Sequence, residues 1–319
     1  MEAHGFLQLS HPSPLLLSLA GKLFAASRHF FEDESAGEKE RCRRVPPANS
    51  GWVGQGVEKL DAKGSDDLKE CGCLYTTLAS GRAFNIKVFT EEPKQPMPSL
   101  LAGETELIAD FIAACHSLCM GLLEGMALSL SLPKDYFTSR HAPQDPAGTA
   151  LRLLYYPPTT TGSAPLVRAG AHSDYGSLTL LFQQEGASAS GLQVLLPSSS
   201  SADGKGGEGM QQGGEWLDVP AAPDRVLVNI GDLMEAWTAG RWPSTVHRVL
   251  VPPHTSTGAR LSIAYFLHPA DDVRLHRIGG VAAHGEGGAA GGGSGRGRVF
   301  EEGMTSAEWL KERFRATYI

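Results

Sequence analysis

His172, Ser173 and Asp174, followed far downstream by His247 and then by Arg260, Leu261 and Ser262, are the residues whose types and order could do chemistry. Two imidazoles and one carboxylate suit a redox-active iron, because mixed nitrogen and oxygen donors fit that metal and leave coordination positions open. His172 and Asp174 are two residues apart. Side chains alternate across a strand, so both are expected on one face, able to grip one ion together. His-x-Asp alone is a weak signal, since surface histidines and aspartates near turns are common. Its flanks make it stronger.

The run Leu151 to Pro158 reads as a strand stopped by prolines, and Ser177 to Phe182 as another, which places the candidate ligands at a strand start. His247 falls inside Ser244 to Val251, a β-branched stretch ending at Pro252 and Pro253. In Arg260 to Phe266 a period of two puts Arg260, Ser262, Ala264 and Phe266 on one face, polar at one end and aromatic at the other. An arginine on such a face needs an anionic partner, because a buried unpaired guanidinium is costly. That partner is either a protein carboxylate or the carboxylate of a small molecule, with the hydroxyls of Ser262 and Tyr156 completing a bidentate grip.

Helical periodicity appears earlier in the chain. Leu107, Ile108, Phe111, Ile112, Cys115, Leu118, Cys119, Leu122, Leu123 and Met126 recur at three- and four-residue spacing. The charges of Glu104, Glu106, Asp110 and Glu124 argue against a membrane span. A helix over about 13–31 has Leu16, Leu19, Leu23, Phe24, Phe30 and Phe31 for burial, with Pro14 in its first turn. The last stretch, 305–317, has Thr305 or Ser306 as N-cap and Trp309, Leu310 and Phe314 at helical spacing. Short strand-like runs dominate from Leu151 to Leu267, the pattern of a sandwich or barrel.

Taken in order, Leu151 to Pro158, Ala171 to Gln183, Val226 to Asp232 with Trp237 and Thr238, Ser244 to Val249, and Arg260 to Phe266 resemble the successive blocks of the Fe(II)/2-oxoglutarate-dependent dioxygenases of the isopenicillin N synthase-like type. The resemblance implies a mainly β fold with supporting helices, a double-stranded β-helix (jelly roll) whose two sheets enclose the site. It implies that His172, Asp174 and His247 bind Fe(II), and that Arg260, Ser262 and Tyr156 bind the distal carboxylate of 2-oxoglutarate. The implied reaction uses O2 to oxidise, typically to hydroxylate, a small organic metabolite, releasing succinate and CO2, with ascorbate as an accessory reductant. Phe266, Arg152 and Tyr175 fall at positions that would contact substrate. Some relatives use the Arg-x-Ser pair to hold a substrate carboxylate instead, so an iron oxidase that does not consume 2-oxoglutarate is the alternative, with a non-catalytic ligand-binding relative as a third reading.

The same resemblance divides the chain into a helix-rich part (1–145), the catalytic core (146–270) and a Gly-rich insert with the C-terminal helix (271–319), all one structural unit. Ser10, His11 and Pro12 stand where the family commonly shows Asn-His-Gly, close to the chain's start, so an N-terminal strand and any organelle address are expected to be missing. At 319 residues and 41 % apolar content the chain suffices for one sizeable core. The net charge of -7 comes without a basic stripe, which favours neither nucleic acid nor an anionic membrane. Five cysteines, Cys42, Cys71, Cys73, Cys115 and Cys119, are an odd number without paired zinc spacing and read as reduced and cytoplasmic. The Ser/Gly/Gln-rich 198–214 and the glycine-rich 279–298 are expected as loops outside the core. Asn229 to Asp232 is expected to form a turn in which Gly231 takes unusual backbone angles, with Asp232 a minor alternative ligand. Gly51 to Gly54 reads as loop.

Overall fold

The computed structural model describes residues 1–45, 50–54, 82–87, 96–163, 165–184, 191–197, 214–251, 254, 256–278 and 300–317. Cys71 and Cys73, residues 279–298 and nearly all of 198–214 lie outside the described residues.

Two antiparallel sheets carry the fold. The larger has seven strands: β1 (Phe6–Ser10), β2 (Gly51–Val53), β3 (Arg82–Lys87), β4 (Ala150–Tyr156), β7 (Leu178–Gln183), β10 (Arg225–Ile230) and β13 (Arg260–Leu267). Their spatial order is β1-β10-β7-β13-β4-β3-β2. The smaller contains β6 (Leu166–His172), β8 (Leu192–Pro197), β9 (Gly214–Asp218) and β11 (His247–Val251), in the order β6-β11-β8-β9. A short ribbon pairs β5 (Thr159–Thr160) with β12 (Ser256–Thr257). This is the jelly-roll architecture: from β6 onward the chain passes to β7, back to β8 and β9, and then through β10, β11 and β13, crossing repeatedly between two facing sheets. Three strands, β1, β2 and β3, come from the segment expected to be helix-rich. Gly51–Val53, read as loop, is a strand because its backbone pairs antiparallel with β3, Gly51 opposite position 85 and Val53 opposite position 83.

Six α-helices are described, and the two longest pack on the large sheet. The six are α1 (Pro14–Asp33), α2 (Ala36–Arg41), α3 (Ser99–Ala102), α4 (Thr105–Ser129), α5 (Asp232–Trp237) and α6 (Ser306–Thr317). In α4 the buried residues Ile108, Phe111, Cys115, Cys119, Leu123 and Met126 follow helical spacing, and Phe111 meets Phe182 of β7 edge-on at 5.0 Å between ring centroids. The helix is long and apolar enough by composition to cross a membrane, but this stripe packs on the sheet. In α1, Leu16, Leu19, Leu23, Phe30 and Phe31 are buried, and Phe31 stacks on Tyr155 of β4. Burying each such side chain stabilises the fold by roughly 1.5–3 kcal/mol. α6 begins with a capping box: the Thr305 hydroxyl accepts from the Glu308 amide while the Glu308 carboxylate accepts from the Thr305 amide.

The strand period of two then sorts residues between core and site. Leu261, Ile263, Tyr265 and Leu267 of β13 belong to the main core, as do Leu178, Leu180 and Phe182 of β7 and Val226, Val228 and Ile230 of β10. The intervening positions, Arg260, Ser262, Ala264 and Phe266 on β13 and Thr179 and Asn229 on β7 and β10, occupy the opposite face, toward the smaller sheet.

Candidate metal centre

His172 is the last residue of β6 and His247 the first of β11, and the two are direct partners in the antiparallel register. Their ring centroids are 4.3 Å apart. Asp174 is not on the same strand as His172, nor at a strand start. It lies in the connection from β6 in the small sheet to β7 in the large one. The dyad therefore marks where the chain crosses between sheets, and the turn, rather than strand alternation, brings the carboxylate beside the imidazoles. One ligand atom from each of His172, Asp174 and His247 lies within 4.8 Å of the others, and His247 Nε2 is 3.9 Å from Asp174 Oδ1.

Each side chain is held from behind. His172 Nδ1 donates to the Gly170 carbonyl at 2.7 Å and His247 Nδ1 donates to the Thr245 carbonyl at 3.1 Å. A carbonyl only accepts, so the proton sits on Nδ1 and the Nε2 lone pair is available to a metal. Asp174 Oδ2 accepts from the Thr179 hydroxyl and from the Asn229 amide, each at 2.7 Å, which leaves Oδ1 toward the histidines. The donor set fits ferrous iron: two neutral nitrogens and one anionic oxygen converge while the remaining polar atom of each side chain is anchored.

Electrostatics favour these states at His172 and Asp174. Burial pushes His172 down to about 4, and the neighbouring His247 adds to this, against the opposing pull of Asp174. Burial by itself would raise Asp174, but the two imidazoles and the Asn229 and Thr179 hydrogen bonds outweigh it and hold the carboxyl below its usual range.

Thr179 and Asn229 were not singled out by the sequence. Their signal is a polar residue at an inward position of an apolar strand. Asn229 belongs to β10 rather than to a turn, and Gly231 has an ordinary φ of -98°. Glycine is required there for space: a Cβ would fall 2.2 Å from the Gly176 carbonyl oxygen. Asp232 is not a ligand. Its amide donates to the Asp174 carbonyl at 2.7 Å, and its fully buried carboxylate pairs with Arg313 of α6.

Arg260, Ser262 and Tyr156 come together at the other end of the inward face. Arg260 is opposite Tyr156 in the β13–β4 register, its guanidinium carbon lies 5.2 Å from the tyrosine ring centroid, and its Nη1 donates to the Ser262 hydroxyl at 3.3 Å. All three are nearly fully buried. Of the expected substrate contacts, Arg152 lies on β4 opposite Ala264, and its charge acts on His172. Phe266 lies on β13 opposite Thr179. Tyr175 directly follows Asp174, and its carbonyl accepts from the Trp309 indole at 2.9 Å. Trp237 and Trp242 pack in the core, whereas Trp216 lies beneath the Arg248 guanidinium.

A jelly roll that holds two histidines and an aspartate beside an Arg-x-Ser pair defines a class of metal-dependent oxygenase. Residues 147–269 match the model of the 2OG-Fe(II) oxygenase superfamily. The proline hydroxylase buaE of Petromyces alliaceus is 30% identical over 98% of this chain and 90% of its own length. The validamycin A dioxygenase of Streptomyces hygroscopicus subsp. limoneus is 30% identical over 85% of this chain and 69% of its own. Among solved structures, a Neurospora crassa protein in complex with alpha-KG and thymine superposes with a TM-score of 0.75 at 27% identity, covering 98% of this chain and 87% of that one. The chain belongs to the 2OG-Fe(II) oxygenase superfamily and is a 2-oxoglutarate-dependent dioxygenase.

Proposed function

We propose that this dioxygenase hydroxylates a small metabolite that presents a carboxylate or carbonyl oxygen to Arg152 and an apolar or ring portion to Phe266 and Tyr175. The observation that carries the reaction is the convergence of His172, Asp174 and His247 with every other polar atom of the three side chains tied down. Ferrous iron held there supplies the activation of O2 that is coupled to conversion of 2-oxoglutarate into succinate and CO2. Arg260, Ser262 and Tyr156 orient that co-substrate, and the facing sheets keep bulk water away. Arg152 supports the substrate assignment, since its cation is close enough to act on His172 and lies on the inward side of β4. The Neurospora crassa protein was crystallised with thymine, a ring bearing carbonyl oxygens, which is compatible with this chemistry.

The order of the sequence blocks supports placement in the isopenicillin N synthase-like branch. Cys42, Cys115 and Cys119 are free and buried thiols, which supports a reducing compartment such as the cytoplasm. The small-molecule reading also leaves nucleic acid and membranes out of its partners.

The test is succinate release over a metabolite library sorted into carboxylates, carbonyl-bearing heterocycles and neutral hydrocarbons. The expected result is stimulation by one of the first two classes, with Arg152→Leu raising KM for that substrate. Stimulation by neutral hydrocarbons alone would overturn the substrate class. Oxygen uptake without consumption of 2-oxoglutarate would overturn the reaction.

A further inference from the structure

Arg168 is a second buried arginine that the sequence pattern conceals. It lies in β6, and the pairing with β11 loses its register around it: Val249 is opposite Ala169, while the next residue, Leu250, is opposite Val167. Arg168 is the extra residue of that irregularity, and such bulges re-aim side chains. Val167 is exposed, whereas Arg168 is only 2% exposed. Its Nη2 donates to the Thr257 hydroxyl at 2.8 Å and to the Pro157 carbonyl at 3.4 Å. Its guanidinium carbon is 5.8 Å from the Tyr156 ring centroid, the ring that Arg260 approaches to 5.2 Å. Burial lowers Arg168 to about 10, and the charge of Arg260 adds to the effect.

The inward cations are thus sorted into two ends. Arg152 acts on His172, while Arg260 acts on Arg168, both guanidiniums lying beside the Tyr156 ring. Two neighbouring guanidiniums removed from water repel, and an anion shared between them offsets both that repulsion and part of their desolvation. We propose that Arg168 is a second positioning residue for the distal carboxylate of 2-oxoglutarate, acting with Arg260, and that this pair makes the site selective for 2-oxo diacids over 2-oxo monoacids. The inference rests on the use of 2-oxoglutarate by the family. Thr257, on the ribbon strand β12, sets the position of the Arg168 head group and so links that ribbon to co-substrate binding.

The experiment is calorimetric titration of the Fe(II)-loaded protein without O2, using 2-oxoglutarate and 2-oxopentanoate, which has the same chain length but ends in a methyl group. Arg168→Met is expected to weaken 2-oxoglutarate binding about tenfold to hundredfold, as for loss of a charge-assisted contact, and to leave 2-oxopentanoate within about twofold. Arg168→Lys, which keeps the charge and loses the fork, is expected to recover part of the affinity. An unchanged dissociation constant for 2-oxoglutarate, or equal weakening of both acids, would overturn the proposal. Failure of the unaltered protein to bind 2-oxoglutarate would overturn it together with the family's co-substrate for this chain. Should Arg168→Met not fold, Thr257→Val decides: a selective loss of about threefold is expected, and no loss counts against the assignment.

Discussion

His172 and His247 are direct partners across two antiparallel strands, with their ring centroids 4.3 Å apart. The pairing makes each ring's position depend on the register of the other strand. The two imidazoles come from residues 75 positions apart in the chain, yet need no loop to bring them together. Each is then fixed in rotation by a carbonyl two residues upstream, Gly170 for one and Thr245 for the other.

The first prediction follows from that arrangement. His172→Ala or His247→Ala removes one of three donors and should lower Fe(II) affinity by at least about a hundredfold, since outer-shell changes alone commonly cost ten- to hundredfold. Competition against a chelator checks this. Each variant should also lose iron-dependent conversion of 2-oxoglutarate to succinate.

Asp174 gives a second prediction, because its orientation is set by two residues that never touch the metal position. Asn229→Leu or Thr179→Val removes one hydrogen bond to Oδ2 and lets the carboxylate rotate. Metal affinity should fall about ten- to hundredfold in each case. The carboxyl should also titrate higher, because a hydrogen bond that favours its charged form is gone. Proton titration of the metal-free protein by NMR checks the direction of that change.

Much of this architecture was legible in the sequence. The three- and four-residue spacing from Leu107 to Met126 marks α4, and the alternation from Arg260 to Phe266 places Arg260 and Ser262 on the inward face, because both signals are local. What depends on pairing between distant strands was not legible. Thr179 and Asn229 meet Asp174 only because β7 and β10 are neighbours, with Asn229 opposite Thr179 in their register. Arg168 is re-aimed by an irregularity that exists only in the pairing of β6 with β11. The same limit explains the reading of His172 and Asp174 as one strand's face, when the chain leaves its sheet between them.

A third prediction concerns acid. His141 is buried, its Nδ1 donates to the Phe137 carbonyl at 2.7 Å, and its Nε2 shares a 2.9 Å hydrogen bond with Ser177. Burial pushes it down to about 3 from 6.5. A histidine depressed in this way is protonated more readily in the unfolded chain. Its contribution is therefore complete above about pH 6.5 and is lost progressively as pH falls toward about 3, by an amount on the order of 3–5 kcal/mol. Thermal unfolding of the metal-free protein should show Tm declining across that range, and His141→Gln should flatten the decline while lowering Tm at neutral pH.

The last prediction joins the C-terminal helix to the centre. Asp232, fully buried at the start of α5, pairs with Arg313 of α6, whose side chain is 17% exposed. The amides of Asp232 and Leu233 donate to the carbonyls of Asp174 and Tyr175, at 2.7 and 3.3 Å. Arg313 also lies over the Tyr175 ring, with its guanidinium carbon 5.0 Å from the centroid. α5 thus holds the residue after the metal ligand by its backbone, and α6 holds its ring. Removing one charge leaves the other buried and uncompensated, so Arg313→Met should cost about 3–5 kcal/mol. The double variant Asp232→Asn with Arg313→Met should cost less than Arg313→Met alone, because no orphaned charge remains. Denaturant unfolding of the single and double variants measures the coupling. Additive costs would mean that the ion pair does not hold α6 against the turn that carries Asp174.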